Sequence, residues 1–154
     1  MGCSSILQRA WYTSVRESNT LSEEVKEVLQ IGSVIGREFS HDLIVKVINL
    51  SEVELLAHLS ALKDSELLYE RGVFPQCTYI FKHAITQEAL YQSLLKRTAK
   101  KYHRIIAEAI EQHFPDITEA QPEMLSQHFT EADLAEKAIP YCQQAGEIAI
   151  RRSA

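Results

Sequence analysis

Apolar residues recur at helical spacing three times in the first half of the chain. The first run begins near Leu21, where Thr20 and Ser22 are alternative N-caps. Gly36 is a candidate for the residue that ends this helix, because glycine readily adopts the conformation found just past a helix C-terminus. A second, shorter run follows Ser40, which can cap it.

The third helix has the clearest start. Ser51 and Glu54 have the spacing of a capping box, in which each side chain accepts from the backbone N–H of the other residue. The apolar positions that follow are leucines, and they share one helical face. The predicted buried face therefore comprises Leu55, Leu56, Leu59 and Leu62.

Two strand-like runs come next, at 67–71 and 77–82. They flank a turn that contains Gly72 and Pro75, which is typical of a β-hairpin with a longer loop. Three helices followed by a two-stranded ribbon is the element order of a winged helix, and it covers residues 21–83.

The remainder reads as helical throughout. Helices are predicted at about 84–95 and 98–113, then from Pro122, and then from about 135 to the end. Pro140 is expected to kink the last helix or to delay its start. The final pair resembles one degenerate tetratricopeptide repeat, a unit with large and small residues at fixed offsets. The positions that fit are Leu125, Phe129, Ala138 and Ala145.

The predicted fold class is therefore mainly α. A flexible leader covers residues 1–20, and a winged helix of three helices plus a β-hairpin covers 21–83. An antiparallel helical, tetratricopeptide-like segment, expected to be truncated, covers 84–154.

Composition is that of an ordinary globular protein. The 154 residues are 45% hydrophobic and 24% charged, with a formal net charge of −5. This charge argues against the whole chain binding nucleic acid or an anionic membrane by electrostatics. No apolar run approaches the length of a membrane span. The three cysteines are far apart, which favours a reducing, cytoplasmic setting without disulfides: Cys3, Cys77 and Cys142.

Motifs that support catalysis or cofactor binding are absent from the sequence. The five glycines form no phosphate-binding loop of either common pattern. The six histidines and three cysteines show no zinc-ligand spacing, and there is no serine elbow. We therefore expect neither an enzyme nor a metal or cofactor site within this chain alone.

The predicted third helix bears on DNA binding, because that helix enters the major groove in many winged helices. Between Ser51 and Glu66 it carries four acidic residues and one lysine, a net charge of −3. DNA phosphates repel such a helix. A winged-helix transcriptional regulator nevertheless remains an alternative, which salt-dependent binding in a gel shift would support.

One basic run stands out, at 96–104. Four of its cations share a helical face at spacings of three and four. They could contact an acidic partner or a phosphate, or they could form an ordinary solvated surface. These residues are Arg97, Lys100, Lys101 and Arg104.

His83 lies where the second hairpin strand passes into the next helix. The N-terminus of a helix presents free N–H groups and positive potential, so an imidazole there is well placed to meet an anion. The alternative is a histidine packed and hydrogen-bonded beside Phe81.

Three segments carry a resemblance to a known family: "LQIGSVIGREFSHDLI", "LLYERG" and "YIFKHAITQEALYQSLL". Together they resemble the winged-helix region that follows the nucleotide-binding domain in STAND-class P-loop ATPases. The likeness is strongest to large bacterial predicted ATPases, often found with class III adenylate or guanylate cyclase domains or with protein kinases. Helical and tetratricopeptide-like repeats follow in that family. The resemblance covers about residues 21–154.

The resemblance gives His83 a specific expected role. In the related NB-ARC proteins a Met-His-Asp motif stands between the last winged-helix strand and the next helix, and its histidine contacts the phosphates of the bound nucleotide. His83 is similar in position, with Lys82 in place of the Met and Ala84 in place of the Asp. The Walker segments are not in this chain. The resemblance therefore implies an ATPase domain as partner, in cis or from an adjacent reading frame.

The sequence-based hypothesis is a non-catalytic regulatory module that couples the nucleotide state of a STAND-type ATPase to sensor repeats. The rival to it, besides the DNA-binding regulator, is a nucleotide-independent scaffold. In the scaffold, residues 98–154 would bind a protein partner and His83 would merely be packed.

Overall fold

The computed structural model describes residues 22–154, so the predicted leader lies outside the described residues. The protein is mainly helical, with a small three-stranded antiparallel sheet. In chain order its elements are α1 (Glu23–Ile35), β1 (Glu38–Ser40), α2 (His41–Val47), α3 (Glu52–Asp64), β2 (Leu68–Val73), β3 (Gln76–Phe81), α4 (Ala84–Ser93), α5 (Lys96–His113), α6 (Pro115–Ala120), α7 (Pro122–Glu131) and α8 (Ala135–Ser153).

The chain divides into two compact units between Leu94 and Leu95. The first described unit holds α1 to α4 with the sheet, and the second holds α5 to α8. The predicted boundary follows His83 instead, so that α4 would belong to the second segment. In the structure α4 lies with the first unit, where the Gln87 side chain donates to the carbonyl of Ser33 on α1 at 2.6 Å. That contact is long-range in sequence, so helical periodicity alone does not reveal it.

Helix starts in the first unit follow the predicted caps. Ser22 is the N-cap of α1 and its Oγ accepts from the N–H of Val25 at 3.4 Å, while the alternative cap, Thr20, lies outside the described residues. At α3 both halves of the capping box form between Ser51 and Glu54. Three of the four leucines predicted on the buried face of α3 are buried, and Leu56 is half-buried.

The sheet has the strand order β1-β3-β2. The hairpin of β2 and β3 is confirmed, with strands within one or two residues of the predicted bounds. Gly72 has φ +96°, and a Cβ there would lie 2.8 Å from the carbonyl oxygen of Gln76, so the turn requires glycine. The strand β1 is absent from the sequence-based prediction. It pairs with β3 through Glu38–Ile80, Phe39–Tyr79 and Ser40–Thr78.

The core of the first unit includes the contact between α1 and Phe39 of β1. Phe39 is buried and its ring lies 5.7 Å from the ring of Tyr79 and 6.1 Å from that of Phe81. The Phe39 ring also lies so close to Gly32 that an added Cβ would meet it at 2.6 Å. Gly32, which weakens α1 as a helix, therefore admits the aromatic ring that ties α1 to the sheet.

In the second unit, α5, α7 and α8 supply the buried apolar residues. Leu125 and Phe129 of α7 are fully buried, and Ala138 of α8 is buried beside them. Phe129 stacks on Tyr141 with ring centroids 5.8 Å apart. The sequence-based prediction lacks the short helix α6. The last helix begins at Ala135, as predicted, and contains Pro140, so of the two effects expected of that proline the delayed start does not occur.

No helix within residues 22–154 combines the length and the apolar character that crossing a membrane requires.

Candidate functional site

His83 lies at the junction of β3 and α4, as the sequence predicts. It is the N-cap residue of α4, with extended backbone angles, and its side chain is exposed. Its carbonyl accepts from the N–H of Thr86 at 3.1 Å and from that of Gln87 at 3.4 Å. No side chain caps the start of α4. The imidazole is therefore held on a fixed backbone and faces solvent at the positive end of a helix dipole.

The backbone on both sides of His83 is anchored in the core. Phe81 is fully buried and its N–H donates to the carbonyl of Arg37 at 3.0 Å. The N–H of Lys82 donates to the carbonyl of Leu67 at 3.1 Å, and Thr86 is buried on the other side. These contacts fix the position of His83 without enclosing its ring.

Two cations lie at the end of the sheet that leads to His83. Lys82 precedes it and makes an ion pair with Glu66 at 3.2 Å, with both side chains largely exposed. Arg37 lies at the same end of the sheet, because its carbonyl bonds Phe81, and its side chain is exposed. Among the described residues no carboxylate lies within ion-pair distance of Arg37. Sequence reasoning missed Arg37, and β1, which sets its place beside β3, is too short to show a period.

The basic face predicted on α5 is exposed. Two of its four cations are neutralised within the second unit, Lys100 by Asp133 at 3.1 Å and Arg104 by Glu108 at 3.0 Å. Arg97 and Lys101 have no ion-pair partner among the residues that the structure describes. The net positive field of this face is thus smaller than the sequence alone indicates.

A buried histidine pair in the second unit was also missed. Nδ1 of His103 on α5 and Nδ1 of His128 on α7 are 2.8 Å apart, and both side chains are buried. One ring must donate and the other accept, so the pair is compatible with two neutral imidazoles. Burial, followed by the nearby His103, lowers the pKa of His128 to about 4. Burial also lowers the pKa of His103, against an opposing effect of Glu131. The 25-residue separation of the two gives no spacing signal.

A second buried polar cluster lies between the sheet and the start of α2. Nδ1 of His41 lies 3.2 Å from the hydroxyl of Tyr79, and the thiol of Cys77 donates to that hydroxyl at 3.5 Å. Burial raises the pKa of Cys77, so its thiol stays protonated and unreactive at neutral pH. The Lys63 ammonium donates to Glu70 and lowers the pKa of that carboxyl. These contacts join α2, α3, β2 and β3 within the first unit.

The described part of the chain contains no cluster suited to a metal ion. In residues 22–154 no three histidine, cysteine, aspartate or glutamate side chains lie close enough together to share one. The candidate anion site is the exposed His83, with Lys82 before it in the chain and Arg37 bonded through its carbonyl to Phe81.

Comparison of the chain with protein-family models, with curated proteins and with solved structures gives no match.

Proposed function

We propose that the chain is a non-catalytic regulatory module of a STAND-type signalling ATPase. It would couple the nucleotide state of the ATPase domain to sensor repeats, and it would act in the cytoplasm. The observation that carries the proposal is the exposed imidazole of His83, held at the start of α4, at the end of the sheet where Lys82 and Arg37 are also exposed.

We further propose that the first unit is a winged helix. Its order of helix, strand, two helices and two strands, with β1 beside β3 in one antiparallel sheet, supports this assignment. In such a fold the hairpin of β2 and β3 is the wing. His83 then follows the last strand of the wing, which is the position of the phosphate-contacting histidine in the family that the sequence resembles.

A phosphate suits the chemistry at this end of the sheet. An imidazole N–H, a guanidinium and an ammonium can each donate to phosphate oxygens, and charged donors make hydrogen bonds about twice as strong as neutral ones. The free N–H groups at the start of α4 add to the attraction. Ala84 stands in place of the family's Asp and supplies no carboxylate. Lys82 is paired with Glu66, so in this proposal the phosphate contact depends chiefly on His83 and Arg37.

The second unit would connect the first unit, which responds to the nucleotide of the ATPase domain, to the sensor repeats. We propose that α7 and α8 are a tetratricopeptide-like pair, which the stacked Phe129 and Tyr141 and the buried Ala138 support. Arg97 and Lys101, the two cations of the predicted basic face that have no ion-pair partner among the described residues, would contact an acidic protein partner.

The proposal predicts that His83 slows nucleotide release from the partner ATPase domain. In a complex of that domain with this chain, in cis or as separate chains, His83→Ala is expected to speed the release of a fluorescent ADP by about tenfold, the equivalent of one charge-assisted hydrogen bond. Arg37→Ala is expected to act in the same direction.

The matched control is His113→Ala, which removes an exposed histidine from the second unit. Equal release rates for wild type, His83→Ala and His113→Ala would contradict the proposal that His83 contacts the bound nucleotide. This chain alone is expected to bind neither ATP nor ADP measurably.

A further inference from the structure

A second surface of the first unit lies at the other end of the sheet from His83. Three apolar side chains are exposed there, Val53 by 79%, Val73 by 80% and Phe74 by 48%. Val73 ends β2 and Phe74 lies in the hairpin turn, while Val53 is in the first turn of α3. The β3 strand separates this surface from His83 by roughly 20 Å, at about 3.3 Å per residue.

The hairpin turn and the start of α3 are joined through His41. The ring of His41 lies 5.1 Å from that of Phe74, edge to face. Nε2 of the same ring lies 3.7 Å from a carboxylate oxygen of Glu52, the residue before Val53. His41 is itself buried, so it holds Phe74 against the body of the unit. Phe74 and the first turn of α3, which carries Val53, therefore both lie against His41.

Carboxylates without a lysine or arginine partner lie at the two helix starts that carry His41 and Val53. They are Asp42 at the start of α2 and Glu52 and Glu54 at the start of α3, all of which are exposed. No lysine or arginine among the described residues lies within ion-pair distance of any of the three. The nearby cations Lys63 and Arg71 are engaged by Glu70 and Glu38 instead. Lys46, one turn after Asp42 on α2, is exposed and offsets part of this charge, so the three carboxylates leave the surface with a net negative field beside its exposed apolar area.

The exposed apolar area and the negative charge limit the kinds of partner that this surface can bind. Exposed apolar patches rimmed by polar groups mark sites of association. Phosphates of nucleic acids and anionic lipids would be repelled by the carboxylates. A partner segment with apolar side chains flanked by lysine or arginine, such as an amphipathic basic helix, would cover the exposed apolar area and attract the carboxylates.

We propose that the acidic-apolar surface, formed by Asp42, Glu52, Val53, Glu54, Val73 and Phe74, binds a cationic amphipathic segment of a partner protein. The surface is distinct from the end that carries His83. The two sites of the first unit would then face different partners.

The test uses the full chain and a synthetic fluorescent peptide of leucine and lysine at helical spacing. Anisotropy is expected to show saturable binding that weakens with added salt. Val53→Ser/Phe74→Ser is expected to weaken binding by about tenfold or more, and Glu52→Gln/Glu54→Gln by a similar factor at low salt. A glutamine side chain can replace the glutamate of a capping box, so the second variant removes charge without removing the start of α3.

Two controls make the result specific. Glu147→Gln/Ile150→Ser changes an exposed glutamate and an exposed isoleucine in the second unit, and it should bind the peptide like wild type. A peptide with glutamate in place of lysine should not bind. If circular dichroism shows that Val53→Ser/Phe74→Ser is unfolded, peptide binding by Val53→Ser alone is the test. That side chain is mostly exposed, so its replacement should leave the fold intact.

Absence of binding, or equal weakening by the surface and control variants, would overturn the proposal. Self-association of the chain that is abolished by Val53→Ser would overturn it as well, since the occupant would then be a second copy. None of these outcomes alters the expected effect of His83→Ala on nucleotide release, which concerns the opposite end of the sheet.

Discussion

Phe129→Ala is expected to lower the free energy of unfolding of the second unit by about 3–5 kcal/mol. Phe129 is fully buried, stacks on Tyr141 at 5.8 Å between ring centroids, and has the Lys137 ammonium 5.3 Å from its ring centroid. Its truncation removes apolar contacts and leaves a cavity at the interface of α7 and α8. Urea unfolding followed by circular dichroism gives the change directly.

The matched control is Ile150→Ala, on the exposed side of α8. Truncation of a side chain that is 70% exposed should change the free energy of unfolding by less than about 0.5 kcal/mol. Equal effects of the two substitutions would mean that α7 and α8 do not pack through Phe129.

Acidification is expected to destabilise the second unit through the buried pair of His103 and His128. An unfolded histidine titrates near pH 6.5, whereas burial lowers the pKa of His128 in the folded chain to about 4. Between these values the unfolded state binds more protons than the folded state, so acid favours unfolding. The stability contribution is complete above about pH 6.5 and is lost as the pH falls toward 4. The loss between pH 7 and pH 4.5 is about 2–3 kcal/mol.

The variant His103→Leu/His128→Leu removes both titrating groups, so its stability should fall less between pH 7 and pH 4.5 than that of wild type. His113→Gln, at an exposed position of the same helix α5, should retain the wild-type pH dependence. Amide hydrogen exchange of residues 96–131 at the two pH values locates the loss. If the stability of the double leucine variant fell with pH as steeply as that of wild type, the buried pair would not be the cause of the pH dependence.

Local signals account for most of the elements that the sequence predicted. Ser22, Ser51 and Glu54 set helix starts through hydrogen bonds within three residues, and Gly72 sets the turn of the hairpin through its own backbone. Such contacts are readable from sequence because both partners lie close together in the chain. The strand β1 lacks this property, since three residues show no period and its pairing partner lies about forty positions later.

In the candidate site, too, some residues could be predicted from local sequence and others could not. The position of His83 could be predicted because a change of period, from strand to helix, marks its junction. Arg37 and the pair of His103 and His128 could not, because the packing of elements distant in sequence places them. The burial of Tyr79 against His41 likewise depends on a contact across 38 residues.

The role of the whole chain as a nucleotide-state module is tested most directly by its affinity for the ATPase domain in two states. A module can transmit a state only if it binds the two states with different free energies. Titration of the chain against the domain loaded with ADP, and separately with a non-hydrolysable ATP analogue, is expected to give dissociation constants that differ by about tenfold or more, a difference of about 1.4 kcal/mol. Equal dissociation constants for the two loaded forms would contradict the account.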